Sequence, residues 1–503
     1  MYVYSFFRWC YRALDYYVFR HLSPQSQQAL KAALLSIGRR LYPDRVIEVD
    51  SRHLIKGGSS PMNWMPPPLP EWARAEMEEI ASQIDPLLDP QGDYGRQMEF
   101  YGIPTNYDWP GLAYAQLRNA VVGQPDVVLL VPWLKRGGAD LGAIYFARAL
   151  HDAGRSVLVI ATEVEDSPWS RRLPDGVQFL DAGQHLAGLS DSERVTAMTR
   201  LLVQLKPDLV HIMNSRLAWD VVRKHGLAVR QESRIFASLY CDDRSEMGHP
   251  VGYAQFYLVD CYMHLTGVIT DNSRNYKDWC AQFGVPASLF QLVGFPARTP
   301  VRTEEHASEV KRNRLLWAGR MDRQKRPDLI AQIAKALPEF EFDVFGASVV
   351  AGQGVDIAEL KALPNVHLNG AFEDFFDLVQ PEHLALVYTS AWDGLPTILL
   401  DAAAVGLPVV APNLGGIPDF LSSDQMIESA GSVEAYATWI RNLAANPDLW
   451  QQHRERGLEK AAAERSWAAF VAAVEGVNGY LAVADGQPVA LAAQTPVPLV
   501  VRT

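Results

Sequence analysis

Val387-Tyr388-Thr389-Ser390-Ala391-Trp392-Asp393-Gly394-Leu395-Pro396-Thr397-Ile398-Leu399-Leu400-Asp401-Ala402-Ala403-Ala404-Val405 is the stretch whose pattern decides the fold. Residues 386–388 read as the end of a buried strand, Gly394-Leu395-Pro396 breaks it, and 397–405 continue in good helix formers. Strand, glycine turn and helix together leave unpaired backbone N–H groups at a helix N-terminus, where an anion can bind. Asp393 and Asp401 stand eight positions apart, a little over two helical turns, so the spacing predicts both carboxylates on roughly one face. Such a pair can hold two hydroxyl-bearing parts of one ligand while the helix end faces its phosphates.

The same strand, loop and helix recur in both directions. Val127-Val128-Leu129-Leu130-Val131 is a continuous apolar run, as a strand buried on both faces requires. A glycine loop, Lys135-Arg136-Gly137-Gly138-Ala139-Asp140, comes next, then a helix over 141–152 and a strand over 156–161. Further strands are predicted at 208–213, 235–240 and 267–270, with 291–296 closing the half. A second series starts at Leu315 and runs to about Ala411, and helices follow from Val433 to about Leu481. The fold class is α/β, with two doubly wound Rossmann-like domains and an extra helical N-terminal extension.

Ahead of this lies a different kind of sequence. Residues 1–57 are basic, with nine Lys/Arg against four acids up to position 56, although the whole chain of 503 residues carries a net charge of −12. Over 1–22, Arg8, Arg12 and Asp15 share a narrow polar stripe opposite Phe6, Phe7, Cys10, Leu14, Tyr17 and Val18. Two readings stay open: a helix at a membrane–water interface, or one packed on the protein's own surface. A Pro/Gly linker follows at 58–70, then a helical stretch at 72–88 and a turn-rich one at 89–109. The expected divisions are 1–57, the extension 58–124, an N-terminal domain 125–300, a C-terminal domain 301–485, and a disordered tail 486–503.

Composition narrows the function. The net negative charge argues against nucleic acid as a partner. Cys10, Cys241, Cys261 and Cys280 form no Cys-x-x-Cys pair, which favours a reducing compartment and argues against structural zinc. No run is long and apolar enough for a transmembrane helix, and no signal peptide is expected. No Gly-x-Gly-x-x-Gly follows a strand, which argues against a nicotinamide-linked oxidoreductase. His211 is expected to be a packed core histidine at a strand end.

The central stretch resembles the acidic-x7-acidic signature of family-four retaining glycosyltransferases, followed by their Gly-Leu-Pro-Val-Val-Ala and Gly-Gly-Ile-Pro segments at 406–411 and 415–418. Arg314-Leu315-Leu316-Trp317-Ala318-Gly319-Arg320, with Lys325, resembles that family's donor-phosphate segment. Phe342-Asp343-Val344-Phe345-Gly346 resembles its next strand and glycine turn, and 365–370 with an acidic helix after it a fourth match. Together they cover about residues 312 to 425 in the family's order, and resemble bacterial cell-envelope polysaccharide enzymes in particular. The resemblance implies the GT-B architecture, in which the two domains face a central cleft.

It also implies roles. Arg320 and Lys325 would bind the donor's diphosphate, with Gly319 and Gly346 in the surrounding turns. Asp401 would bond the ribose hydroxyls. Asp393 would take the first acidic position near the transferred sugar, where the family usually has Glu, so this side chain is one methylene short. Gly394, Leu395, Pro396 and Thr397 would face sugar or phosphate with their backbone, and Gly137 and Gly138 match the family's Gly-Gly loop; Asp140 is given no role. Tyr240, Asp242, Asp243 and Arg244 are expected on the acceptor side. The expected reaction is transfer of a hexose-type sugar from a nucleotide diphosphate sugar to an acceptor hydroxyl with retention, the acceptor being a saccharide or a lipid-linked saccharide. No metal and no cofactor beyond that co-substrate is expected. The place of action would be cytoplasmic, at the inner face of a membrane if residues 1–22 bind one. The alternatives are a sugar phosphorylase or disaccharide synthase on the same fold, and a silent nucleotide-sugar or glycan-binding protein.

Overall fold

The computed structural model describes residues 71–83, 109–298, 310–347, 355 and 357–481. The basic stretch 1–57, the linker 58–70, residues 84–108, the junction 299–309 and the tail 486–503 lie outside the described residues, and the expectations for them with it. Contacts divide the chain into a unit up to Gly111 and a second unit from Leu112 onward, which holds both large sheets. In the first, α1 (Glu71–Gln83) overlaps the stretch 72–88 predicted as helical. The helix α2 (Trp109–Ala120) leads into the second.

The first lobe runs β1 (Val127–Val131), α3 (Gly138–Asp152), β2 (Val157–Ala161), β3 (Gln178–Asp181), α4 (Asp191–Leu205), β4 (Leu209–Met213), α5 (Arg216–Val229) and β5 (Arg234–Ser238). A small antiparallel hairpin, β6 (Asp243–Arg244) with β7 (Pro250–Val251), precedes α6 (Tyr253–Cys261), β8 (Gly267–Thr270), α7 (Asn275–Phe283) and β9 (Phe290–Leu292). Its seven large-sheet strands are ordered β3-β2-β1-β4-β5-β8-β9, and β1 lies parallel to both β2 and β4. All five residues of β1, β2 and β4 are buried, as helices on both faces demand. Local sequence fixes the ends: α4 opens with a capping box between Ser190 and Glu193.

The second lobe repeats the plan with β10 (Arg314–Ala318), α8 (Pro327–Ala336), β11 (Glu341–Phe345), α9 (Ala358–Ala362), β12 (Val366–Gly370), β13 (His383–Val387), α10 (Thr397–Ala404), β14 (Val409–Pro412) and β15 (Met426–Ile427). Its order is β12-β11-β10-β13-β14-β15. The acidic helix expected after Gly370 is only a short turn at Phe376–Leu378. In each sheet the order reverses beside the first strand, so the loops after β1, β10 and β13 lie at the switch point where open α/β sheets take ligands.

The last helices, α11 (Val433–Ala445), α12 (Pro447–Glu464) and α13 (Trp467–Glu475), were expected with the second lobe. The end of the chain instead returns to the first. Phe470, Val474, Val477 and Tyr480 are buried in one cluster with Phe146, Val159 and Phe236. Asn478 N donates to Gln291 Oε1 at 2.8 Å, and Arg234 donates to the Gly479 carbonyl at 2.5 Å. Where the two connections between lobes meet, Ala297 N donates to the Arg465 carbonyl at 2.7 Å.

The return contains a titratable group. His211 lies in the middle of β4, not at its end, and is fully buried. Its Nδ1 is 2.7 Å from Tyr480 Oη and its Nε2 2.8 Å from Ser238 Oγ. Burial drives its pKa down from 6.5 to about 3. The unfolded chain therefore binds a proton between these values that the folded chain does not. The native state loses stability as pH falls from 6.5 toward 3, by an amount on the order of 4 kcal/mol across the window. Urea midpoints measured from pH 7.5 to pH 4.5 are expected to fall less steeply for His211→Gln than for the unsubstituted chain; parallel slopes would refute this.

Candidate functional site

Two loops of the second lobe build the centre. The loop after β10 turns at Gly319, whose carbonyl approaches Gly346 so closely that a Cβ there would sit 1.9 Å from the oxygen. Asp322 organises the loop, accepting from Lys325 N at 3.0 Å and from Arg320 Nε at 3.1 Å. The loop after β13 is tied to it: Ala391 N donates to the Gln324 carbonyl at 2.8 Å, and Gln324 Nε2 to the Trp392 carbonyl at 2.9 Å. These bonds bring Lys325 against Asp393, Nζ to Oδ2 at 2.5 Å. Tyr388 completes the group, its hydroxyl 2.8 Å from Lys325 Nζ and 2.5 Å from Asp393 Oδ2.

Charge is well managed there. Burial pushes the Asp393 carboxyl upward, but the Lys325 ammonium and the bonds from Lys325, Tyr388 and Gly394 N outweigh it, and the group is held below its usual range. Burial, with Asp393 beside it, pushes the Tyr388 phenol well up, so it stays a neutral donor. Arg320 is not part of this cluster. Its side chain is 43 % exposed and bonds Asp322 and Gln324, at the edge of the loop.

Asp401 has different partners from Asp393. The helix α10 begins only at Thr397, so Asp393 lies in the loop before it and the eight-residue spacing is not two turns of one helix. Asp401 is buried, and its carboxylate accepts from Arg298 Nε at 3.0 Å, Nη2 at 2.7 Å and the Arg298 backbone N at 3.3 Å. Arg298 also pairs with Asp374 at 3.0 Å and lies over the Phe376 ring. The carboxylate expected to be open to a ligand thus already holds a guanidinium from the connection between lobes. Losing that partner leaves a buried acid uncompensated, so Arg298→Ala is expected to destabilise the fold by about 3 kcal/mol in chemical denaturation. A change under about 0.5 kcal/mol would mean that the pair contributes as little as an exposed one.

The first lobe meets these loops from across the cleft. The helix α3 starts at Gly138 with Gly137 as its cap, and no side chain caps it. The same is true of α10 behind Pro396. The two helix starts face one another: a Cβ placed on Gly138 would lie 3.5 Å from Thr397 Oγ1. Asp140, given no role from the sequence, accepts from Lys135 N at 3.1 Å and lies against Gly137; burial raises its pKa to about 6.

Asp271, just after β8, was not anticipated. It is buried, and its Oδ2 accepts from Leu395 N at 2.9 Å. A Cβ on Gly394 would sit 2.8 Å from that oxygen, so the glycine permits the approach. Burial raises the Asp271 pKa to about 7, the Asp393 charge adding to it. Asp419 returns the contact, accepting from Ser273 N and Oγ at 2.6 Å each.

The expected acceptor-side residues divide. Asp242 accepts from Trp279 Nε1 at 3.0 Å and Gln255 Nε2 at 2.7 Å, holding the first lobe's own helices. Tyr240 packs its ring on Phe295 with centroids 5.4 Å apart. Asp243 and Arg244 are exposed on the β6–β7 hairpin. The Arg244 carbonyl accepts from Arg323 of the second lobe, which places this hairpin at the cleft. No group of three or more His, Cys, Asp or Glu able to hold a metal exists among the described residues. Tyr388, Arg298 and Asp271 escaped the sequence reading because their partners are distant in the chain or fall outside any recognised spacing.

Two doubly wound lobes with their switch-point loops turned to a common cleft define the GT-B architecture, and this is the fold of the chain. HepE from Anabaena, solved with UDP and glucose, superposes with a TM-score of 0.56 at 16 % identity, over 70 % of this chain and 98 % of that one. TarM superposes with a TM-score of 0.57 at 12 % identity, over 72 % and 99 %. Residues 312–446 match the family described as Glycosyl transferases group 1. The O-antigen biosynthesis glycosyltransferase WbnH of Escherichia coli is 23 % identical over 118 residues, which is 23 % of this chain. That match spans about a third of the relative's length, 32 %.

Proposed function

We propose that the chain transfers a hexose from a nucleoside diphosphate sugar to a hydroxyl of a cell-envelope saccharide or lipid-linked saccharide, with retention at the anomeric carbon. The observation that carries this reading is the pair of uncapped helix starts, α3 and α10, facing each other beside Lys325 and Asp393. Two helix starts that no cap side chain bonds, together with one ammonium, are matched to a diphosphate. The envelope assignment draws on the O-antigen relative, and the donor class on the UDP and glucose bound by HepE.

In this reading Lys325 Nζ exchanges Asp393 for a diphosphate oxygen. Its charge and the two helix ends then meet the negative charge that grows on the departing phosphate. Asp393 accepts hydrogen bonds from hydroxyls of the transferred sugar. The acceptor hydroxyl attacks from the side the diphosphate leaves, and a phosphate oxygen takes its proton. The protein supplies position and charge, with no covalent intermediate on a side chain. No helix among the described residues is long and apolar enough to cross a membrane, and action at the inner membrane face is part of the proposal.

The test is a thermal-shift panel of nucleotide sugars on the full chain, followed by product analysis with the tightest binder. Saturation near a hundred times Kd stabilises by about 2.7 kcal/mol, a readily measured shift. A transferred sugar with the donor's anomeric configuration supports the reading. Binding without turnover would mark a silent binding protein, and no binding to any nucleotide sugar would end the proposal.

A further inference from the structure

Tyr388 is the member of the central cluster that no expected motif called for. Its hydroxyl accepts from Lys325 Nζ at 2.8 Å and donates to Asp393 Oδ2 at 2.5 Å, while Lys325 Nζ reaches the same Oδ2 at 2.5 Å. The three groups close a ring. Tyr388 itself is anchored: its N donates to the Val410 carbonyl at 2.9 Å, its carbonyl accepts from Tyr436 Oη at 2.8 Å, and the residue is 3 % exposed. Lys325 Nζ also lies over its ring, 5.1 Å from the centroid.

The ring has a consequence for donor binding, and the argument rests on the function proposed above. Lys325 cannot serve a diphosphate and keep its full contact with Asp393. A buried carboxylate whose only cation departs is strongly destabilised unless another donor remains. Tyr388 is the side-chain donor that remains, beside Gly394 N at 3.1 Å from Oδ1, and a hydrogen bond from a hydroxyl to a carboxylate is of the strong, charge-assisted kind. We propose that Tyr388 is a positioning residue that holds Asp393 when Lys325 moves to the diphosphate. Its hydroxyl occupies the space that the extra methylene of a glutamate at position 393 would need.

This second point separates positioning from plain packing. A glutamate at 393 should collide with the Tyr388 hydroxyl but fit a phenylalanine there. The experiment uses the full chain and measures calorimetric binding of uridine, guanosine and adenosine diphosphates. Tyr388→Phe is expected to weaken the tightest of them about tenfold, the worth of one charge-assisted hydrogen bond. Asp393→Glu alone is expected to weaken it at least as much. The double variant Tyr388→Phe/Asp393→Glu should bind no more weakly than the weaker single variant, because the hydroxyl that the longer acid would meet is gone, while staying below the unsubstituted chain, because no hydroxyl holds the acid. A purely structural tyrosine gives additive losses. Binding by Tyr388→Phe within twofold of the unsubstituted chain, or a double variant as weak as the sum of the singles, overturns the inference alone. Failure of the unsubstituted chain to bind any of the three overturns the functional reading and the inference together.

Discussion

Replacing Lys325 with methionine is expected to lower sugar transfer at least a hundredfold and to destabilise the fold by about 3–5 kcal/mol, two effects with one cause. The ammonium is the one cation in hydrogen-bond contact with Asp393 among the described residues, and both side chains are largely enclosed, 18 % and 19 % exposed. Without it, Asp393 must either protonate or stay charged with no counter-ion, held only by Tyr388 and Gly394 N. The two effects separate in a second variant. Lys325→Met combined with Asp393→Leu removes both charges, and stability should return to within about 1 kcal/mol of the starting value, since a buried ion pair is commonly replaceable by apolar groups of similar volume. Activity should not return, because neither the diphosphate's cation nor the sugar's acceptor remains. Urea denaturation and a transfer assay on the same preparations check this. Equal instability in the single and double variants would show that Lys325 acts by packing.

A chain ending at Arg465 is expected not to fold. It lacks Phe470, Val474, Val477 and Tyr480, all at most 4 % exposed in the first lobe's core. Burying each contributes roughly 1.5–3 kcal/mol, so the four together approach the whole 5–15 kcal/mol by which domains are stable. The truncation also strips His211 Nδ1 of its partner in a fully buried place. Tyr480→Phe isolates that last contribution and should lower stability by only about 1–3 kcal/mol. Circular dichroism and size exclusion on the truncated chain decide the matter, and a cooperative melt near that of the full chain would be the contrary result.

The order of the second lobe was legible because period and punctuation carried it. Apolar runs with glycine turns mark β10, β11 and β13, and the Gly394-Leu395-Pro396 break marks the start of α10. In the first lobe β1, β2, β4, β5 and β8 could be read in the same way. Strand β3, with a mixed burial pattern, and the two-residue strands of the β6–β7 hairpin gave no comparable signal. The pairing of Lys325 with Asp393 follows from loops at neighbouring strand ends and was within reach of the sequence. The capture of Asp401 by Arg298, 103 positions earlier, was not, because only tertiary structure brings the two together. Counting eight residues as two turns failed for a simple reason: Pro396 caps α10, so half of that interval is loop. The return of α13 to the first lobe was also invisible, since its apolar residues would suit either sheet.

That return means the polypeptide passes between the lobes twice, and the passages touch where Ala297 N meets the Arg465 carbonyl. Two adjacent strands of covalent chain act like the knuckles of a door hinge. Sliding or twisting apart would strain both, whereas a swing about the line joining them strains neither. Any opening between the lobes is therefore smallest beside the Ala297–Arg465 contact.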